Sequence, residues 1–517
     1  MPDYQRSKNN TTNYTHPNES NLWEMHKALE YNLRGQPTLR VSSQSAASAA
    51  TATSAFGEPL AVPVTPVVQL DAIYGINNEA MQTFTYNGGI ADSNESQFIV
   101  AADAALGSYS VVRSKRFVRY HPGQGAVCRF ACRFTEGVPG TTQRAGFFSQ
   151  EQAFQFGYNG DQFGILHFHN GQVHLEELTI TTEPGNAQTA TITLNGVVYN
   201  IPLVKETATK TAARIANFTF PGWTTQSSDN KVTFLYEGAL QELTNTFSFS
   251  SSGDAVGTMT TLQAGSAGTQ TWIMQDEWNG QRFDIDPTKF NVFQIKFRWL
   301  GAGIVVFSAE HPESGEIIPL HTLHWVNQNE ELHVRNPSFR IGFVAYNFGG
   351  SSPVTVYGGS IMGAIEGVIA STTYSKSGSV SHSNLSSDNL WHLGTLQNPV
   401  ISHNRINVRE IKLGHFSIAY QGNDPLVVYA FVNASLANQL HEFESVPNST
   451  GIISLAKDVV VPSGTPILAY TIPINGSGNF DLSNLDIKIS PGETFTMAFE
   501  STQGVSQVTA SMIWQED

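Results

Sequence analysis

Residues Ala145–Leu178 read AGFFSQEQAFQFGYNGDQFGILHFHNGQVHLEEL, and the fold class turns on them. Two Asn-Gly pairs, Asn159-Gly160 and Asn170-Gly171, each sit between runs rich in Phe, Tyr, Ile, Leu and Val. Asn-Gly tolerates the positive φ angles that a tight turn between twisted strands requires. The spacing therefore predicts a β-meander. Along its first strand Phe154, Phe156 and Tyr158 share a face, and along its second Phe163, Ile165 and His167 do, so each strand has one side suited to a core.

Outward from this stretch the same pattern recurs. SQFIVA, YSVVRS and GAVCRFACRF precede it, and NVFQIKFRWLGAGIVVF follows after an interval of different character. A chain of 517 residues is too long for one core. Charged residues are scarce, while Gly, Ser, Thr, Asn and Phe are plentiful, a mix that favours short strands joined by polar turns. The expected fold is mainly β: an antiparallel, jelly-roll-like β-sandwich with a small inserted α+β domain and a C-terminal β-sandwich.

The expected divisions follow composition. Residues 1–60 form an N-terminal arm with a short helix and a linker, residues 61–176 and 270–367 a split sandwich, and residues 177–269 the insert. Residues 368–390 are a Ser-rich linker and residues 391–517 the last sandwich. Within the insert, LTITTEPGNAQTATITLNGVVYNIPLV gives a hairpin at Asn195-Gly196, and TATKTAARIANF a helix with Ala208, Ala212, Ile215 and Ala216 on one side. In the arm, NLWEMHKALEYN places Leu22, Met25 and Leu29 on one helical stripe, widened by Trp23. A helix this short is marginal alone in water. Its stripe either packs on its own protein or anchors the arm in a neighbouring subunit.

A formal net charge of −15 argues against a surface that neutralises phosphates, so no nucleic-acid partner is expected. No apolar run is long enough to span a bilayer, and the N-terminus lacks the apolar segment of a signal peptide. The expectation is a protein made in a cytosol, without membrane insertion. Cys128 and Cys132 lie four residues apart on one strand, roughly 13 Å, beyond the ~7 Å a disulfide bridges. They read as two separate buried thiols.

Few residues suggest chemistry. His167 and His169, with His174 beyond the Asn170-Gly171 turn, could hold a metal if another ligand converged; His321, His324 and His333 are less suggestively spaced. Asp284 and Asp286, in FDIDPTK, share a strand face and either bind calcium or cap a turn. Glu176 and Glu177, adjacent on a strand, point to opposite faces and do not make a glycosidase pair. No phosphate loop, dinucleotide fingerprint, nucleophile elbow or zinc-protease motif is present. No cofactor, metal or catalytic residue is assigned.

RYHPGQGAVCRFACRF, GFFSQEQAFQFGYNGDQFGILHFHNG and DIDPTKFNVFQIKFRWLGAGIVVF resemble a concanavalin/laminin-G-like jelly-roll module of virion structural proteins of large double-stranded DNA viruses and tailed phages. The insert, with TATKTAARIA and VTFLYEG, resembles small modules of phage tail and capsid-decorating proteins. Together these cover about residues 115–367. The resemblance implies a minor capsid, vertex, spike or fibre component located in the virion, and no lectin sugar- or calcium-binding pattern carries over.

Two functions from different classes follow. One is a non-enzymatic virion building block, a trimer or pentamer of itself joined to other virion proteins through its arm. The other is host attachment through a surface glycan, with Trp223, Trp272, Trp278 and Trp391 as candidates to stack on sugar rings. A polysaccharide-degrading enzyme is a third, less supported reading.

Overall fold

In the computed structural model, strand Ala153–Asn159 is buried on both faces along all but its last residue. The structure describes residues 63–517 apart from 238–241, 368–373, 386–388, 437–441, 455–460, 462, 486, 504 and 517. The arm residues Leu22, Trp23, Met25 and Leu29, and the linker that follows them, lie outside the described residues. The fold is mainly β and antiparallel, as its sequence pattern predicts.

Two sheets make the first sandwich. A seven-stranded sheet runs in the order Thr269–Met274, Gln162–His169, Ala153–Asn159, Thr141–Phe148, Arg340–Asn347, Tyr109–Ser114, Met81–Tyr86. Facing it is an eight-stranded sheet around Gly125–Phe134, which pairs with Asn291–Arg298 on one side and Val354–Glu366 on the other. Aromatic rings interlock the two: Phe156 meets Phe293 at 4.5 Å between centroids, and Phe147 meets Phe297 edge-on at 5.4 Å. Cys128 and Cys132 lie in this core as free thiols, and burial pushes both well above the ordinary thiol range.

The meander forms, from Thr141–Phe148, Ala153–Asn159 and Gln162–His169, but the second expected hairpin does not. Asn159 ends its strand opposite Gln162, so the turn residues are Gly160 and Asp161, with positive φ at Gly160 alone. Asn170 does take a positive φ, but it joins no hairpin: beyond Gly171 the chain leaves the sheet, and its place beside Gln162–His169 is taken by Thr269–Met274. Gln172 and Ser266 mark exit and return, exchanging two backbone hydrogen bonds of 3.0 and 2.9 Å.

Between them stand a four-stranded and a three-stranded sheet with one helix, Ala208–Ala216. Thr207 caps the helix by accepting from the Lys210 N–H at 3.3 Å. Ala212 and Ile215 enter a separate core with Leu178, Ile192, Leu194 and Phe234. Asn195 and Gly196 both take positive φ in a two-residue hairpin, as the sequence predicts.

The Ser-rich stretch departs from expectation. Tyr374–Leu385 is not a linker but a strand paired with Val505–Glu516 along its length. Val380 and His382 are buried, while Ser377, Ser379, Ser381 and Ser383 are exposed. It edges a five-stranded sheet that packs on a six-stranded one around fully buried Trp514.

Candidate functional site

Strand alternation gives the seven-stranded sheet a second, outer face. Because Met81, Val112 and Ile341 point into the core, their neighbours Gln82, Arg113 and Arg340 point outward. Gln82 lies directly across from Arg113, and Arg340 enters on the other side of Arg113, two residues before its partner Gly342. The outer face is covered by the other modules. Lys115 Nζ pairs with Glu493 of the C-terminal sandwich at 2.8 Å, while the Asp229 N–H of the insert donates to the Phe443 carbonyl at 2.7 Å. The Gln226 side-chain amide meets the Ile401 backbone through both its oxygen and its nitrogen. A cleft of about 360 Å³ remains where the three modules meet.

Two guanidinium groups define this cleft. Arg113 donates from Nε and Nη2 to Gln82 Oε1 at 3.2 and 3.1 Å, and Arg340 Nη1 donates to the same oxygen at 2.6 Å. A carbonyl oxygen offers two lone pairs, so three N–H groups over-subscribe it. Arg340 Nε is buried with no hydrogen-bond partner. Each guanidinium lies over a ring, Arg113 over Phe84 at 4.7 Å and Arg340 over Phe117 at 4.6 Å. Neither has a carboxylate within ion-pair distance among the described residues.

The two acids lining the cleft are engaged elsewhere. Glu237 accepts from Gln150 Nε2 at 2.6 Å and Thr224 Oγ1 at 2.8 Å; Glu493 takes Lys115 and the Ser490 N–H. Burial first, and then the like charge of Arg113, push the Arg340 guanidinium well below its ordinary value against the opposing pull of Glu237 and Glu493. Burial does the same to Arg113, offset in part by Tyr109 and Glu237. A guanidinium does not release its proton in a protein. The push is therefore a standing cost of holding positive charge there.

The histidines assemble differently from the sequence grouping. His167 and His169 stack at 4.5 Å between centroids, and His333, which the spacing left apart, joins them around Trp325. His167 Nε2 donates to the His333 carbonyl at 2.8 Å, which leaves Nδ1 without the proton in the neutral ring. His333 is fully buried with neither ring nitrogen bonded. Burial depresses all three, His167 to about 3 and His333 to about 4.

His174 sits elsewhere. Its Nδ1 accepts from the Gly265 N–H at 3.2 Å, so its Nε2 carries the proton that Glu176 Oε1 accepts at 2.9 Å. His321 accepts from the Asn279 N–H at 3.4 Å and His324 is exposed. Among the described residues no group of three or more His, Cys, Asp or Glu side chains could hold a metal ion.

The remaining candidates have local roles. Asp284 and Asp286 lie on no strand; Asp286 accepts from the Thr288 N–H and hydroxyl at 2.9 and 2.6 Å and caps a turn. Glu176 is buried, whereas Glu177, on the opposite face, pairs with Lys231 at 2.8 Å. Trp278 is buried and donates to the Ile273 carbonyl. Trp223, Trp272 and Trp391 are half-buried against apolar clusters.

No protein-family model matches the chain, and no curated protein matches its sequence. Among solved structures, lectin II from Ulex europaeus is similar over 58% of this chain and 100% of its own, at 9% identity and a TM-score of 0.25. The binding domain of Paraclostridial Mosquitocidal Protein 1 is similar over 72% of this chain and 65% of its own, at 8% identity and a TM-score of 0.23. A chain of Sulfolobus Turreted Icosahedral Virus is similar over 85% of this chain and 91% of its own, at 7% identity and a TM-score of 0.14. Superpositions this loose leave the chemistry to be read from the chain's own residues.

Sequence reasoning missed Gln82, Arg113 and Arg340. In YSVVRS and FRIGFVAY each arginine occupies an outward position, where a charged residue ordinarily meets water. Nothing local announces that two further modules close over that face.

Proposed function

We propose that the protein is a non-enzymatic virion structural protein, assembling with copies of itself and with other virion proteins through its β-sandwich surface and N-terminal arm. One observation carries this reading. At one end of the first sandwich the edge strands Met81–Tyr86 and Ile90–Asn94 meet, and around them Tyr74 is 99% exposed, Tyr86 70% and Leu106 70%, with Ile73 and Ile90 also exposed. Asn87 Nδ2 donates to the Leu106 carbonyl at 2.8 Å, which ties the turn after Met81–Tyr86 to Leu106. Apolar exposure beside two strands that end their sheets among the described residues marks a surface that burial against another chain stabilises.

The test is the light-scattering mass of the full chain beside that of Tyr86→Glu/Ile90→Glu and of a chain starting at Val64. The expected result is an oligomer that the double variant dissociates at unchanged secondary structure. A monomer throughout, or a protein absent from purified particles, overturns the reading. A second reading, host attachment through a surface glycan, is favoured by the three-module cleft, which is large enough for a small ligand and has hydrogen-bonding groups from all three modules.

A further inference from the structure

We propose that the cleft between the three modules binds an acidic saccharide, whose carboxylate or sulfate sits between Arg113 and Arg340. The inference deepens the attachment reading and rests on it for the sugar, though not for the anion.

Charge supplies the first argument. Two cations held side by side repel, and here a single neutral amide oxygen, Gln82 Oε1, is all that joins them. Both cleft acids hydrogen-bond other donors, so neither pairs directly with a guanidinium, although Glu237 attracts both arginines and Glu493 attracts Arg340 from farther off. An oxyanion placed beside Gln82 would accept guanidinium N–H groups that the over-subscribed carbonyl cannot.

Shape supplies the second. Phe84 and Phe117 support the two guanidinium groups at 4.7 and 4.6 Å from their ring centroids and so help hold them in place. Planar forks match carboxylates and tetrahedral oxyanions with paired hydrogen bonds, which a lysine ammonium cannot do. The rest of the lining is partly polar: Ser149, Thr224, Asn407 and Asn433 come from all three modules, and of these Asn433 uses only its oxygen, accepting from the Thr494 N–H, while the other three are largely bonded within the chain. At about 360 Å³ the cleft is at the small end of ligand sites, fitting a terminal sugar rather than a long stretch of polymer.

The test is titration calorimetry on the full chain at fixed ionic strength. The probes are N-acetylneuraminic acid, glucuronic acid, galactose 6-sulfate, inorganic sulfate and neutral galactose. Binding of at least one acidic sugar, weakened about tenfold or more by Arg340→Gln, is expected; comparison of the carboxylated and sulfated sugars identifies the anion. Gln82→Glu guards against misfolding as an explanation, because it places a carboxylate of the chain's own between the guanidinium groups. It is expected to raise the melting temperature while abolishing acidic-sugar binding. Binding of neutral galactose alone, unaltered in both variants, would overturn the acidic site and leave the attachment reading standing. Sulfate binding without any sugar would overturn the saccharide, and no binding by any probe would overturn both.

Discussion

The buried histidines beside Trp325 and the half-buried arginines of the three-module cleft face the same physical problem and end differently. Imidazole near neutral pH can shed its proton, and His167, His169 and His333 do so when burial depresses them. They become stacking rings, with Phe154 beneath His167 at 5.2 Å between centroids. Guanidinium has no such exit. Arg113 and Arg340 keep their charge, half-buried in the cleft, sharing one amide oxygen and drawing on Glu237 from farther off. A buried group that can neutralise itself settles into the fold; one that cannot keeps a charge that the proposed ligand would offset.

Three measurements sharpen or break that contrast. The largest effect belongs to Phe154→Ala, which removes the ring under His167 and opens a cavity against Phe297 and Phe339. A loss of about 3–5 kcal/mol in urea unfolding is expected. A loss under about 1 kcal/mol would show that the histidine cluster does not depend on aromatic support.

Acid comes next. The folded-state value of His167, about 3, lies below its ordinary 6.5, so on acidification the unfolded chain takes up the proton first. Stability from the neutral ring is complete above about pH 6.5 and is lost as pH falls toward 3. Between pH 6.5 and 4.5 the protein should lose about 2–3 kcal/mol more than His167→Gln does. Parallel curves would mean that the ring is not held neutral, and the contrast with arginine would fail.

The smallest effect tests the other side. Arg340→Met removes a charge that has no ion-pair partner among the described residues while keeping an apolar stem over Phe117, so unfolding free energy should stay level or rise by about 1 kcal/mol. A loss above about 2 kcal/mol would show the guanidinium to be fully compensated by the fold.

Much of the architecture was legible from period-two alternation. Phe154, Phe156 and Tyr158 face the core as read, and so do Phe163, Ile165 and His167. The hairpin at Asn195-Gly196 has the φ angles its residues favour. Composition misled at Tyr374–Leu385, where abundant serine suggested a linker. Serine at every second position from Ser375 to Ser383 was the strand signal, with Val380 and His382 as its buried face. Asn170-Gly171 misled for another reason: a turn residue fixes the local backbone, but which strand comes next is settled by the rest of the chain.

By itself, the sequence determined strands, faces and tight turns, because alternation and positive-φ residues act over a few neighbouring positions. Only the tertiary structure decided that His333 meets His167 from far along the chain, and that an outward-facing arginine pair is roofed by two other modules. Burial of a charge depends on everything packed around it, and no window of residues contains that information.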